Sequence, residues 1–126
     1  MDIKLSFFGA ARNVTGSRYL LEYNNTRLLI DCGMYQERDF RGRNWEDFPI
    51  NPSLIDAVLL THAHVDHCGY LPKIVHDGFN GSIYCTSATA EIAEIVLMDS
   101  AKLQLEDAKY KEKRHKRSKK KGPYPY

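Results

Sequence analysis

The chain has 126 residues, 43% of them hydrophobic and 27% charged, a balance that suits one globular domain and excludes disorder throughout. No apolar run approaches the roughly 18 residues that a bilayer-crossing helix needs. The net charge of +2 averages two unlike parts: residues 109–121 hold nine of the 18 Lys and Arg and one of the 16 Asp and Glu, so residues 1–108 carry nine basic and 15 acidic groups, a balance of −6; basicity is local, which rules out arguing a polyanion partner from the average charge.

In chain order, Lys4 to Phe8 reads as a short apolar strand, and Arg18 to Tyr23 with Arg27 to Asp31 as a hairpin turned at Asn24-Asn25. Residues 32–49 contain Gly33, Gly42, Pro49 and many charges, the pattern of a long surface loop. Within it Trp45 and Phe48 are expected to anchor the loop apolarly. Asn51-Pro52 predicts a cap followed by one helical turn. The next strand, Ala57 to Leu60, is apolar at every position, which predicts burial on both faces. A helix is expected from about Tyr70 to Asp77, with Gly78 as its stop. Ser82 to Cys85 reads as another strand, and Thr86 or Ser87 as the cap of a long helix packed across the sheet. The order, β-rich first and then strand, helix, strand, helix, predicts an α/β layered arrangement. Domain organisation is read as a body over 1–108 and a basic connection or tail over 109–126 that looks interrupted. Cys32, Cys68 and Cys85 form no CxxC pair and are odd in number, which suits reduced, buried thiols in a cytoplasmic protein. With no export signal at the start, the expected setting is cytoplasmic, away from any membrane.

The strongest chemical signal lies directly after the apolar strand. His62, His64, Asp66 and His67 place three imidazoles and a carboxylate within six residues. In extended chain, residues two apart share a side, so His62 and His64 can face one metal ion, and Asp66 with His67 can serve a second. Imidazole plus carboxylate is the donor set of catalytic zinc, which keeps a position open for water. Three ordinary strand-end histidines so closely spaced would be an improbable coincidence without metal. His76 and His115, outside this cluster, read as surface residues.

The segment His62-Ala63-His64-Val65-Asp66-His67 matches the HxHxDH signature of the metallo-β-lactamase superfamily, and Leu29-Ile30-Asp31-Cys32-Gly33 resembles its earlier Asp-bearing strand end. The blocks Phe8 to Ser17, Asp31 to Gln36 and Gly69 to Lys73 resemble the β-CASP branch, which includes RNA-processing ribonucleases and cleavage-and-polyadenylation factors. The resemblance implies that the chain is the N-terminal part of an αββα sandwich, two sheets between helices, in a zinc-dependent hydrolase of RNA phosphodiesters. It implies two zinc ions in the complete centre, His62 and His64 on the first, Asp66 and His67 on the second. Asp66 is the candidate catalytic carboxylate, and Asp31 the outer group that orients the ligand loop or an imidazole. Arg12, Asn13 and Thr15 are candidate substrate contacts, a structural turn being an equal alternative. Further metal ligands are then expected from downstream residues or a partner chain, and these residues alone should turn over little.

Two other readings stay open from sequence: a metallo-hydrolase of a small thioester, lactone or β-lactam, and an inactive chain that only binds RNA through residues 109–121, whose clustered cations suit polyanions. Gly9 to Ser17 brackets polar residues with glycines but lacks the Gly-Lys-Ser/Thr ending of a phosphate-binding loop.

Overall fold

A computed structural model describes residues 2–117. Its elements are β1 (Lys4–Phe7), β2 (Tyr19–Tyr23), β3 (Thr26–Ile30), β4 (Ala57–Leu59), α1 (Val65–Cys68), α2 (Leu71–His76), β5 (Ser82–Tyr84) and α3 (Ser87–Arg117), with 3-10 turns at Arg41–Trp45 and Pro52–Leu54. The expected hairpin forms: β2 and β3 pair from Tyr19↔Ile30 to Tyr23↔Thr26. Asn24 takes φ 52° at the turn, a left-handed conformation that asparagine tolerates better than most residues. Asn51 accepts a hydrogen bond from the Ser53 amide and caps the short turn beginning at Pro52.

The strands form one sheet in sequence order, β1 to β5. The first three are antiparallel, and β3, β4 and β5 are parallel. One face is closed by α2 and the long loop: Leu20, Leu29 and Val58 pack with Phe48, Ile55, Tyr70, Leu71, Ile74 and Phe79. Each fully buried aliphatic there contributes about 1.5–3 kcal/mol relative to exposure. The register puts Leu5, Leu21, Leu28 and Ala57 in one row of the opposite face, and Phe7, Tyr19, Ile30, Leu59 and Tyr84 in the next. That second face is also apolar, yet Phe7 is 61% exposed and Tyr84 59%. The β-period is therefore masked, because both faces of the sheet are built for burial and the described residues cover only one.

Several expectations change here. Leu59 is exposed because it lies on the open face. Phe48 anchors the long loop by an edge-on contact with Phe8 at 5.4 Å, whereas Trp45 stays exposed. Cys32 and Cys68 are buried and Cys85 is exposed. The helix α3 is capped by Thr86, whose hydroxyl accepts from the Thr89 amide at 3.1 Å. It does not lie across the sheet. It leans on α1, burying only Thr89 and Ala93 fully, and it runs unbroken past residue 108. No helix among the described residues is long and apolar enough to cross a membrane.

Candidate metal centre

The His-rich segment starts where β4 ends. In parallel sheets, sites form beyond the carboxyl ends of the strands, where loops replace the ladder. Here Asp31 follows β3 and Thr61 follows β4, side by side: the Asp31 amide donates to the Leu59 carbonyl at 2.9 Å. His64 remains extended, with φ −70° and ψ 146°, and introduces α1, which carries Asp66 and His67.

Asp31 organises the cluster. It is buried, and its carboxylate accepts the Thr61 amide at 2.8 Å and the Thr61 hydroxyl at 2.8 Å. His67 Nδ1 lies 2.8 Å from its Oδ2. Since a carboxylate only accepts, the proton on this contact belongs to Nδ1, and in the neutral ring His67 Nε2 keeps its lone pair. The Thr61 hydroxyl, having given its proton to Asp31, accepts from His62 Nδ1 at 2.9 Å, which likewise frees His62 Nε2. One carboxylate thus sets two imidazoles, one directly and one through threonine. Asp31 does this from a left-handed backbone, φ 60°, which Asp adopts more readily than most residues.

The three imidazole rings lie close together. The His62 ring centroid is 3.9 Å from that of His67 and 4.9 Å from that of His64. His67 Nε2 is 3.4 Å from Asp66 Oδ2. In the neutral ring both atoms present lone pairs, and a cation satisfies the pair, either a proton that makes His67 an imidazolium between Asp31 and Asp66 or a metal ion. Two donors about 2.0–2.2 Å from a tetrahedral ion stand roughly 3.3–3.6 Å apart, which fits this separation. No group of three His, Cys, Asp or Glu side chains among the described residues forms a ready cage. The donor types suit a metal, and the described residues bring together fewer than the three donors a site needs, so the set is incomplete. The buried thiols are not donors of choice: burial pushes Cys68 up to about 11 and Cys32 further, and the Cys68 thiol donates to the Ala63 carbonyl.

Backbone lacing fixes the cluster from below. Cys32 N donates to His67 O at 2.8 Å, Met34 N to Val65 O at 3.1 Å, and Ser17 N to Asp66 O at 3.0 Å. Gly33 is required in this weave, because a Cβ there would meet the Asp66 carbonyl oxygen at 1.7 Å. Arg18 locks the weave from behind, its Nε donating to the Gly33 carbonyl at 2.9 Å. Its guanidinium lies 3.8 Å from the Tyr70 ring centroid and 5.0 Å from that of Tyr35, and desolvation holds its pKa below the usual arginine value. Neither Thr61 nor Arg18 is singled out by sequence reading. The signal for Thr61 was its place between the strand and the first histidine; Arg18 carried none.

The loop before β2 is anchored to residues 36 and 37. Glu37 accepts from the amides of Val14 and Thr15, each at 2.9 Å, and from the Thr15 hydroxyl. These bonds, led by the Thr15 hydroxyl, hold the Glu37 carboxyl at about 2. The Thr15 hydroxyl also accepts from the Gln36 amide, and Asn13 donates to the Thr15 carbonyl. Both side chains are thus engaged within the loop, while Arg12 is exposed. His76 sits exposed on α2 beside Asp77, and His115 is half-buried on α3. A groove of about 670 Å³ opens from His64 and Asp66 along α3, past Ser100 and Gln104, to Asp107.

Residues 12–123 match the family model of the metallo-beta-lactamase superfamily, and the chain belongs to that family, whose members bind metal ions. It is 51% identical over 96 residues to ribonuclease TTHA0252 of Thermus thermophilus, covering 76% of this chain and 22% of that protein. It is 34% identical over 110 residues to the transcription termination factor FttA of Methanocaldococcus jannaschii, covering 85% and 17%. It is 34% identical over 113 residues to an Integrator complex subunit 11 homolog of Dictyostelium discoideum, covering 84% and 15%. The chain spans less than a quarter of the length of these relatives. The single mixed sheet with helices on one face is the α/β arrangement expected of the N-terminal part of this fold.

Proposed function

We propose that this chain supplies the first ligands of a zinc centre that hydrolyses RNA phosphodiester bonds. The observation that carries the reading is Asp31 bonded at once to Thr61 and His67, which leaves His67 Nε2 facing Asp66 Oδ2 at 3.4 Å. His62 and His64 hold one of two zinc ions and Asp66 with His67 the other; further ligands come from downstream residues or a partner chain. Zinc supplies Lewis acidity toward a phosphate oxygen and activates water near neutral pH. Asp31 keeps the His67 proton on Nδ1 and, through Thr61, the His62 proton on Nδ1, so both Nε2 atoms remain available. Asp66 is the carboxylate nearest the reacting phosphate. Arg12, exposed on the loop before β2, is the candidate contact to the RNA phosphates. The ribonuclease name of the Thermus relative supports RNA as substrate, and three free thiols suit a reducing cytoplasm.

The test is a chimera in which this chain replaces the matching stretch of the Thermus ribonuclease, assayed on labelled RNA. Cleavage is expected, abolished by chelator and lowered at least about a thousandfold by Asp66→Ala, in line with removing a group that stabilises the transition state. A chimera whose Asp66→Ala form cleaves RNA at the parental rate sinks the assignment.

A further inference from the structure

The far end of α3 has two unlike sides. At 3.6 residues per turn, Gln104, Ala108, Lys111 and His115, all half-buried, share one side. Lys109, Tyr110, Lys113, Arg114 and Arg117, all exposed, occupy an arc of about 140° on the other. Lys111 and Lys116 are engaged by Asp107 at 3.0 Å and Glu112 at 3.2 Å, pairs that brace the helix. The four cations of the outward arc make no ion pair among the described residues. Attraction to the negative end of the helix dipole acts within the last turn. It accounts for Arg114 and Arg117, but not for Lys109 and Lys113.

We infer that this arc is an RNA-backbone site, separate from the metal centre, that takes single-stranded RNA. Charge complementarity selects a polyanion. The arc contains no aliphatic side chain, and a lipid surface needs an apolar face. Tyr110, 64% exposed, presents a ring on which a base can stack between flanking phosphate contacts, the usual combination for single strands. The arc begins two residues beyond Asp107, where the groove from His64 and Asp66 ends, so one strand can lie on both. The inference rests on the RNA reading above for the choice of polyanion.

The experiment is fluorescence anisotropy of a labelled oligouridylate with the 126-residue chain in EDTA, over a salt series. The logarithm of the association constant is expected to fall linearly with the logarithm of salt, by about 0.7 per phosphate neutralised. Combining Lys109→Gln, Lys113→Gln and Arg114→Gln should flatten the slope by about 2 and weaken binding at least tenfold at low salt. Glutamine is a good helix former, and circular dichroism checks that α3 persists. Tyr110→Ala should weaken binding several-fold and Tyr110→Phe should not. Unchanged slope and affinity in the triple variant overturn the inference, as does equal binding to polyglutamate or to phosphatidylserine vesicles. Because the assay excludes metal, salt-dependent binding that survives a failed cleavage assay removes the phosphodiesterase reading alone.

Discussion

At the carboxyl ends of β3 and β4, four chain segments are tied by main-chain hydrogen bonds, and a buried carboxylate joins two of them. Along α3 the opposite holds: 31 residues bury only Thr89 and Ala93 fully, while Ile95 and Met98 are 70% exposed. The first region is rigid because its geometry is over-determined by bonds that need no particular side chain. The second keeps its form through local helical bonding and i,i+4 pairs; Val96 and Leu97 pack against the core, while Ile92, Leu103 and Leu105 are exposed. Preorganisation is thus concentrated around the histidine-rich segment, residues 62–67.

The contrast breaks most readily at Gly33. Gly33→Ala puts a Cβ within 1.7 Å of the Asp66 carbonyl, a backbone clash that rotamer change cannot relieve, and should destabilise the chain by more than about 3 kcal/mol. A thermal melt within two degrees of the parent would show that the weave is looser than described. Asp31→Asn keeps the backbone, since asparagine also accepts the left-handed conformation, but turns an acceptor into a donor facing Thr61 and His67. Zinc affinity by calorimetry should fall about 10–100-fold and stability by about 1.5–3 kcal/mol; affinity within twofold of the parent would remove Asp31 from its orienting role. At the other extreme, Ile95→Gln on the exposed side of α3 should change stability by less than about 0.5 kcal/mol. A large loss in chemical denaturation would mean that α3 is packed, and the contrast would fail.

Much of this architecture was legible before any coordinates. The hairpin showed through its alternation and its Asn24-Asn25 turn, and the polar cluster at the end of β4 through the crowding of three histidines and an aspartate into residues 62–67. What escaped was long-range or two-sided. Leu59 looked fully buried because an apolar run does not say which face will be covered. The seating of α3 was misread because Ile92, Ile95 and Leu105 keep no clear helical period, so no single face was marked as inward. Thr61, Gly33 and Arg18 matter through partners up to 33 residues distant, such as the Asp66 carbonyl beside Gly33, and a linear reading has no access to such pairings.

Position 31 illustrates how narrow the range of acceptable residues becomes when two demands meet. Its backbone is left-handed at φ 60°, a conformation that disfavours every residue except glycine and, to a lesser degree, asparagine and aspartate. Its side chain must accept from an amide, a hydroxyl and an imidazole together. Glycine fails the second demand, asparagine can meet only part of it, and glutamate, one carbon longer, fits neither. The two filters act independently and their overlap contains one amino acid, so substitution at this position is opposed by backbone stereochemistry as well as by hydrogen bonding.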